Sequence, residues 1–303
     1  MLGFPLIAIA TTIAAPALPA RTDWVGEVVY IKKETATYGR VEADGTFTPI
    51  ARVKSIQYVV QRDEKGYLEF KQDGKPIWVK KDDMVRQKDA VEHFTKMLDE
   101  DPNNDIWFAF RGWVRHRTGK TAEGLKDYAE AIRLKPMAAA WYSNRALIYL
   151  EAKNVDDAIA DLTSAIELSP NNEVYYRNRA MAYSRKKDWA NAAEDFGKVI
   201  ELVPDSATSM NGLAWLLCTA PDQKVRDGKR ALEYAKKACE LTENKNGGYL
   251  DTLAAAYAEV GDFAKAVEWQ EKALKTGDLP IKDMEAARQR LALYKDKKPY
   301  RGE

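Results

Sequence analysis

The chain has 303 residues, 46% of them hydrophobic and 31% charged, with 47 basic against 46 acidic side chains. That mixture is too apolar for a disordered chain, and the length suits two structural units better than one core. The even balance excludes the basic excess of a nucleic-acid binder; the segment from Arg21 to Gln87, with 13 basic and 11 acidic residues, is close to neutral as well.

From Met1 to Ala20 there is no charged side chain, and the apolar run from Leu2 to Ala15 ends in Ala15-Pro16-Ala17 and Leu18-Pro19-Ala20. This pattern predicts an export signal over 1–20, cut after Ala17 or after Ala20, although the usual basic residues ahead of the apolar run are missing. A retained anchor is disfavoured: a spanning helix wants about 20 apolar residues, and Pro5, Pro16 and Pro19 interrupt this run. No later stretch could span a membrane, so the mature chain is expected in the periplasm, the cell envelope or the medium.

Short β-prone runs follow: Val28 to Ile31, Ile56 to Val60, Tyr67 to Phe70 and Ile77 to Val79. Turn signals separate them at Asp44-Gly45, Asp63 to Gly66 and Asp73-Gly74. About 60 residues at this spacing are too few for a large sandwich. A five-stranded barrel over 21–87 is the economical reading, and the ending from Trp78 to Val85 resembles the last strands and short turn of bacterial SH3-like domains.

Beyond this segment Pro102, Pro136, Pro170 and Pro204 recur every 34 residues. With each proline at position 32, the first repeat begins at Asp105 and carries Phe108, Gly112, Gly119, Gly124, Tyr128, Ala131 and Pro136 at patterned sites. Tyr142, Ala146, Tyr149, Ala158, Leu162, Ala165 and Pro170 mark the second, and Tyr176, Ala180, Tyr183, Ala192, Phe196, Val199 and Pro204 the third. This is the period of the tetratricopeptide (TPR) helix hairpin, in which small residues at positions 8 and 20 let two antiparallel helices approach and proline stops the second. A half-repeat with Ala90, Phe94, Met97 and Pro102 precedes the array over 88–104. A fourth hairpin from Asn211 has a longer turn through Pro221 and Asp227-Gly228, and a fifth returns to pattern with Leu250, Ala254, Tyr257, Gly261, Ala266 and Ala273. The array is placed at 105–278, with an amphipathic closing helix, Ile281 to Tyr294, and a tail over 279–303. The predicted fold class is thus α plus small β: an N-terminal SH3-like barrel followed by an all-α right-handed TPR superhelix.

The order of parts resembles a family of exported SH3-like plus TPR proteins abundant in planctomycete bacteria. The resemblance covers most of the mature chain and is sharpest in Leu213 to Leu217, Arg226 to Ala231, Tyr249 to Glu259 and Lys298-Pro299-Tyr300-Arg301. That family places a cysteine directly before the proline and aspartate of the fourth turn, whereas here Thr219 and Ala220 separate Cys218 from Pro221. The resemblance implies architecture and export, and it carries no catalytic activity.

Chemistry-bearing motifs are sparse. Gly119-Lys120-Thr121 lacks the glycine a phosphate-binding loop needs five residues earlier, where Val114 stands, and it falls at a hairpin turn. The two histidines, His93 and His116, have no ligand spacing to cysteine, so neither metal nor cofactor is expected. Cys218 and Cys239 should lie roughly 15 Å apart along a hairpin at 1.5 Å per residue, which predicts two buried thiols in place of a disulfide. Acid pairs such as Asp156-Asp157 and Asp82-Asp83 fall at helix starts or turns, where they serve free N–H groups. No enzyme is expected.

In a TPR array, positions 2, 5, 6, 9, 12 and 13 of each first helix line the concave face. They select Trp113, His116 and Arg117 in the first repeat, Asn144 in the second, and Arg177, Asn178 and Arg185 in the third as a candidate groove. Arginine forks suit a carboxylate and asparagine amides suit peptide backbone, so the expected ligand is an extended acidic or C-terminal peptide. The lysine and asparagine of the chaperone-type carboxylate clamp are absent: Ala109 and Trp113 stand at those positions. Arg145 and Arg179, at position 7, read equally as solvated or inter-repeat residues. The leading expectation is a non-enzymatic protein-interaction scaffold; the alternative is a cell-wall peptide module acting through the barrel.

Overall fold

The computed structural model describes residues 24–32, 37–41, 47–52, 57–64, 66–72 and 75–302. The expected signal at 1–20 and the turn residues Asp44-Gly45 and Asp73-Gly74 lie outside them. The chain divides into two compact units, 1–148 and 149–303, the division falling inside the helix Ala139–Glu151.

The described residues of the first unit open with eight short strands: β1 (Val28–Ile31), β2 (Thr37–Val41), β3 (Phe47–Arg52), β4 (Gln57–Val59), β5 (Arg62–Glu64), β6 (Tyr67–Gln72), β7 (Lys75–Lys80) and β8 (Met84–Arg86). They form two antiparallel sheets, ordered β4-β1-β8 and β3-β2-β7-β6-β5. A closed five-stranded ring is not seen among the described residues, whose strand ladders form these two sheets. The extra strands have local causes. β4 lies within the expected run Ile56 to Val60, β5 forms beyond it where a turn was expected, and a 3-10 turn at Lys81–Asp83 separates β7 from β8. The hairpin β2–β3 carries Gly39 and Pro49, residues that weaken a strand signal.

Alternation sets which face is buried. Leu68 and Phe70 of β6 stand opposite Val79 and Ile77 of β7, and all four are buried together with Val29, Tyr30, Ile31, Met84 and Val85. The expected turn over 63–66 shrinks to its last residues because β5 runs through Glu64; Gly66 then takes a positive φ of 84°. Asp63 accepts from the Trp24 backbone N–H at 2.9 Å and from Lys81 Nζ at 2.6 Å, tying the chain's first described residue to the 3-10 turn.

The same apolar core continues into the helices α1 (Gln87–Glu100), α2 (Asp105–Arg117), α3 (Thr121–Leu134) and α4 (Ala139–Glu151). Phe94 of α1 meets Phe110 of α2 edge-on at 5.6 Å and stacks on Trp107 at 6.0 Å. Polar bonds cross the same seam, from Tyr30 Oη to Gln87 Oε1 at 3.2 Å and from Trp113 Nε1 to Gln57 Oε1 at 3.0 Å. The sheets therefore share their core with the first helices and do not form a bead of their own.

The second unit holds α5 (Val155–Leu168), α6 (Glu173–Arg185), α7 (Trp189–Leu202), α8 (Ala207–Thr219), α9 (Gly228–Leu241), α10 (Gly247–Glu259), α11 (Phe263–Lys275) and α12 (Ile281–Lys295). Every helix that precedes a 34-residue proline ends two residues before it: α1, α3, α5 and α7 stop at Glu100, Leu134, Leu168 and Leu202. Side chains of Asn172, Asp188, Ser206, Asp227, Asn246 and Asp262 accept from the first free N–H groups of α6 to α11. Alanines 180, 192, 214, 231, 254 and 266, all fully buried, fill the small-residue positions expected at 8 and 20 in this unit. Cys218 and Cys239 are free buried thiols, and burial pushes Cys239 up to about 12. Among the described residues no helix is long and apolar enough to cross a membrane.

Candidate peptide-binding surface

The three arginines of α6 have different fates, and the difference follows from position. Arg179, at position 7, points between hairpins: its Nε and Nη2 donate to the two carboxylate oxygens of Asp195 at 2.8 Å each, and its Nη1 to Thr163 Oγ1 at 3.1 Å. Burial pushes the Asp195 carboxyl upward while the guanidinium opposes it, so the fork is a structural tie with its donors committed. The first unit has the same arrangement two repeats earlier. Arg111 donates to both oxygens of Asp127 at 3.1 and 2.8 Å and to Thr95 Oγ1 at 3.2 Å, and Arg115 adds a contact to Asp127 at 2.7 Å. Position 7 thus pairs with an aspartate 16 residues later and a threonine 16 residues earlier. The sequence signal for these ties is the recurrence of Asp127, Asp161 and Asp195 at the repeat period, which hydropathy patterning does not pick out.

Arg177, at position 5, is partly exposed and makes a 3.8 Å contact to Glu173 one turn back. Arg185, at position 13, is exposed, and its Nη1 donates to the Leu150 carbonyl at 2.8 Å. Asn178 lies beneath them at 1% exposure, its Oδ1 buried without a hydrogen-bond partner. Of the three predicted groove residues in the second unit, α6 therefore presents two guanidinium groups to solvent and hides the amide.

In the first unit the predicted residues sit close together near the end of α2. Trp113 is buried at 7% exposure against the sheets, with its indole N–H on Gln57, so its ring is a wall of the core. His116 lies against that ring at 5.9 Å, and its Nδ1 is 3.1 Å from Thr121 Oγ1 at the start of α3. Arg117 is exposed, its guanidinium carbon 5.9 Å from the Trp113 ring centre. Asn144 of α4 is 2% exposed, with Nδ2 buried and unpartnered. Both groove asparagines are thus buried below the surface expected of them. Gly119 takes φ 88° at the α2–α3 turn, the role of a hairpin turn and not of a phosphate loop. No cluster of histidine, cysteine and carboxylate side chains suited to a metal is present among the described residues.

Three stretches, 111–173, 176–206 and 246–277, match family models described as tetratricopeptide repeat. No curated protein matches the chain. Among solved structures, a tetratricopeptide repeat protein from Parabacteroides merdae is 20% identical with a TM-score of 0.56, the match covering 70% of this chain and 81% of that one. The pilF protein of Pseudomonas aeruginosa is 18% identical with a TM-score of 0.55, covering 67% and 90%. YrrB, described as a TPR protein with an unusual peptide-binding site, is 16% identical with a TM-score of 0.54, covering 65% and 99%. At these identities the likeness speaks to the fold, and together with the family models it establishes that this chain carries tetratricopeptide repeats.

Proposed function

We propose that the chain is a non-enzymatic protein-interaction scaffold that holds an extended polypeptide on the first-helix faces of its repeats, exported to the periplasm, the envelope or the medium. The observation that carries the reading is the division of labour on α6. The packing arginine, Arg179, is committed to Asp195, while Arg177 and Arg185 stay at the surface at ligand-face positions. Two guanidinium groups on one helix face suit a carboxylate-bearing ligand, since each charge-assisted hydrogen bond contributes about 1.5–3 kcal/mol. YrrB, which shares the fold, is described as having a peptide-binding site and supports a peptide as the ligand. We also propose that the N-terminal sheets are an SH3-like unit. The bend from β4 into β5 and the 3-10 turn between β7 and β8 each pass the chain from one sheet to the other, the arrangement by which a small barrel wraps one core.

The test is capture from envelope and secreted fractions, followed by titration of the purified captured polypeptide against the unaltered chain and Arg177→Ala. Binding at least tenfold weaker for the variant, and weaker still at high salt, is expected. Equal binding by both chains, or recovery of cell-wall fragments alone, moves the working surface from α6 to the N-terminal sheets.

A further inference from the structure

After α12 the chain turns sharply. Lys297 takes a positive φ of 57°, with Lys297 N–H on the Tyr294 carbonyl at 3.0 Å and Lys298 N–H on Leu293 at 2.9 Å, a left-handed helix stop followed by Pro299. Residues 300–302 then lie on α8. The Tyr300 ring packs on Trp215 at 5.8 Å, and the Arg290 guanidinium, itself held by Asp251 at 2.9 Å, sits 5.3 and 5.4 Å from those two rings. Arg301 Nη1 lies 2.6 Å from Glu259 Oε2 and 3.4 Å from the Cys218 carbonyl, and the Gly302 N–H donates to the Thr219 carbonyl at 2.8 Å.

A helix leaves its last four carbonyls without partners inside the helix. For α8 the accounts close completely: Leu216 is taken by the Ala220 N–H, Leu217 by the Asp227 N–H, Cys218 by Arg301 and Thr219 by Gly302. Half of this helix end is thus satisfied by a short extended segment arriving from far along the sequence. Counting on from the third repeat, Trp215, Cys218 and Thr219 are positions 9, 12 and 13 of the fourth. The segment therefore lies on repeat positions of the face proposed above to hold ligand, and to that extent the inference rests on that reading. Glu259 spends its other oxygen on Arg226 at 3.2 Å, so the oxygen facing Arg301 still offers an acceptor when the segment leaves.

We propose that α8 with Glu259 is a second peptide-accepting surface, for an extended segment bearing an aromatic residue followed by arginine, and that residues 298–302 are its displaceable in-chain occupant. An aromatic slot, two free carbonyls and a carboxylate are the recognition elements, opposite in charge to the face of α6. A partner with the same aromatic-arginine chemistry must displace the segment first, which lowers its apparent affinity by the fraction of time the site stands open.

The experiment titrates fluorescein-labelled Lys-Pro-Tyr-Arg-Gly-Glu, the sequence of residues 298–303, into the intact chain and into the chain carrying Tyr300→Ala with Arg301→Ala. The double variant is expected to bind the peptide at least about tenfold more tightly than the intact chain, and a peptide with alanine for both tyrosine and arginine is expected not to bind. Equal binding of the peptide by both chains overturns the proposal, as does equal binding of the alanine peptide. A double variant that loses its helical circular dichroism overturns it as well, because a segment whose removal unfolds the chain is a structural cap and not a ligand.

Discussion

At the scale of single residues, space and charge decide most of what can change. A Cβ added at Gly124 would stand 2.5 Å from the Gly112 carbonyl oxygen, and one at Gly112 would stand 2.9 Å from that of Gly124. Both obstacles are backbone, so neither can swing aside. Gly124→Ala is therefore expected to cost about 1–3 kcal/mol by forcing α2 from α3, read as a lower midpoint in denaturant; an unchanged midpoint would refute the tight crossing. His93 offers a charge-based prediction. Burial, with Lys32 as the next cause and Lys96 adding to it, holds its imidazole below the ordinary 6.5, while the Lys32 backbone and Glu100 oppose the shift. Between the folded and unfolded values the unfolded chain binds more protons, so stability is full above pH 6.5 and falls as pH drops through the folded value. Comparing denaturant midpoints at about pH 7.5 and about pH 5, His93→Gln should lose less stability on acidification than the unaltered chain; equal losses would mean that this group does not carry the effect.

At the scale of helices and strands, the repeat period was the most legible feature of the sequence, because it encodes three local facts at once: where helices stop, where they cross and which residues are small. The proline ends, the Gly112–Gly124 crossing and the buried alanines follow from it. The strands were less legible. β2 and β3 carry glycine and proline, and the break between β4 and β5 leaves no turn signature at Val60-Gln61. Among the candidate groove residues, position in the repeat predicts exposure for the arginines and not for the amides. Position alone places Asn144 and Asn178 on the ligand face, but packing between neighbouring helices buries both. The arginine-aspartate ties were visible as a periodic pairing and belong to this scale. Asp195→Ala leaves Arg179 without its partner and should cost about 3 kcal/mol, whereas Arg179→Met together with Asp195→Leu should regain most of that loss. Thermal melts of the single and double variants check this, and a double variant no better than the single would show that the fork sets more than local stability.

At the scale of the whole chain, the apolar core of the strands runs on into the first helices. The reason is physical: the sheets bury too little apolar surface alone, and their inner face is continued by Phe94, Phe110 and Trp113 of the first helices. Local patterns show where strands become helices; they do not show where one core ends. The contact of residues 300–302 with α8 was equally hidden, since it joins positions 83 apart through single side chains and backbone groups. That contact also bears on the order in which the protein is made. During synthesis α8 emerges and can coil long before its last two carbonyls have partners, and those groups face water until Arg301 and Gly302 leave the ribosome. The fourth hairpin is thus translated well before its helix end is capped, and a chain stalled short of Arg301 leaves that end open to proteases.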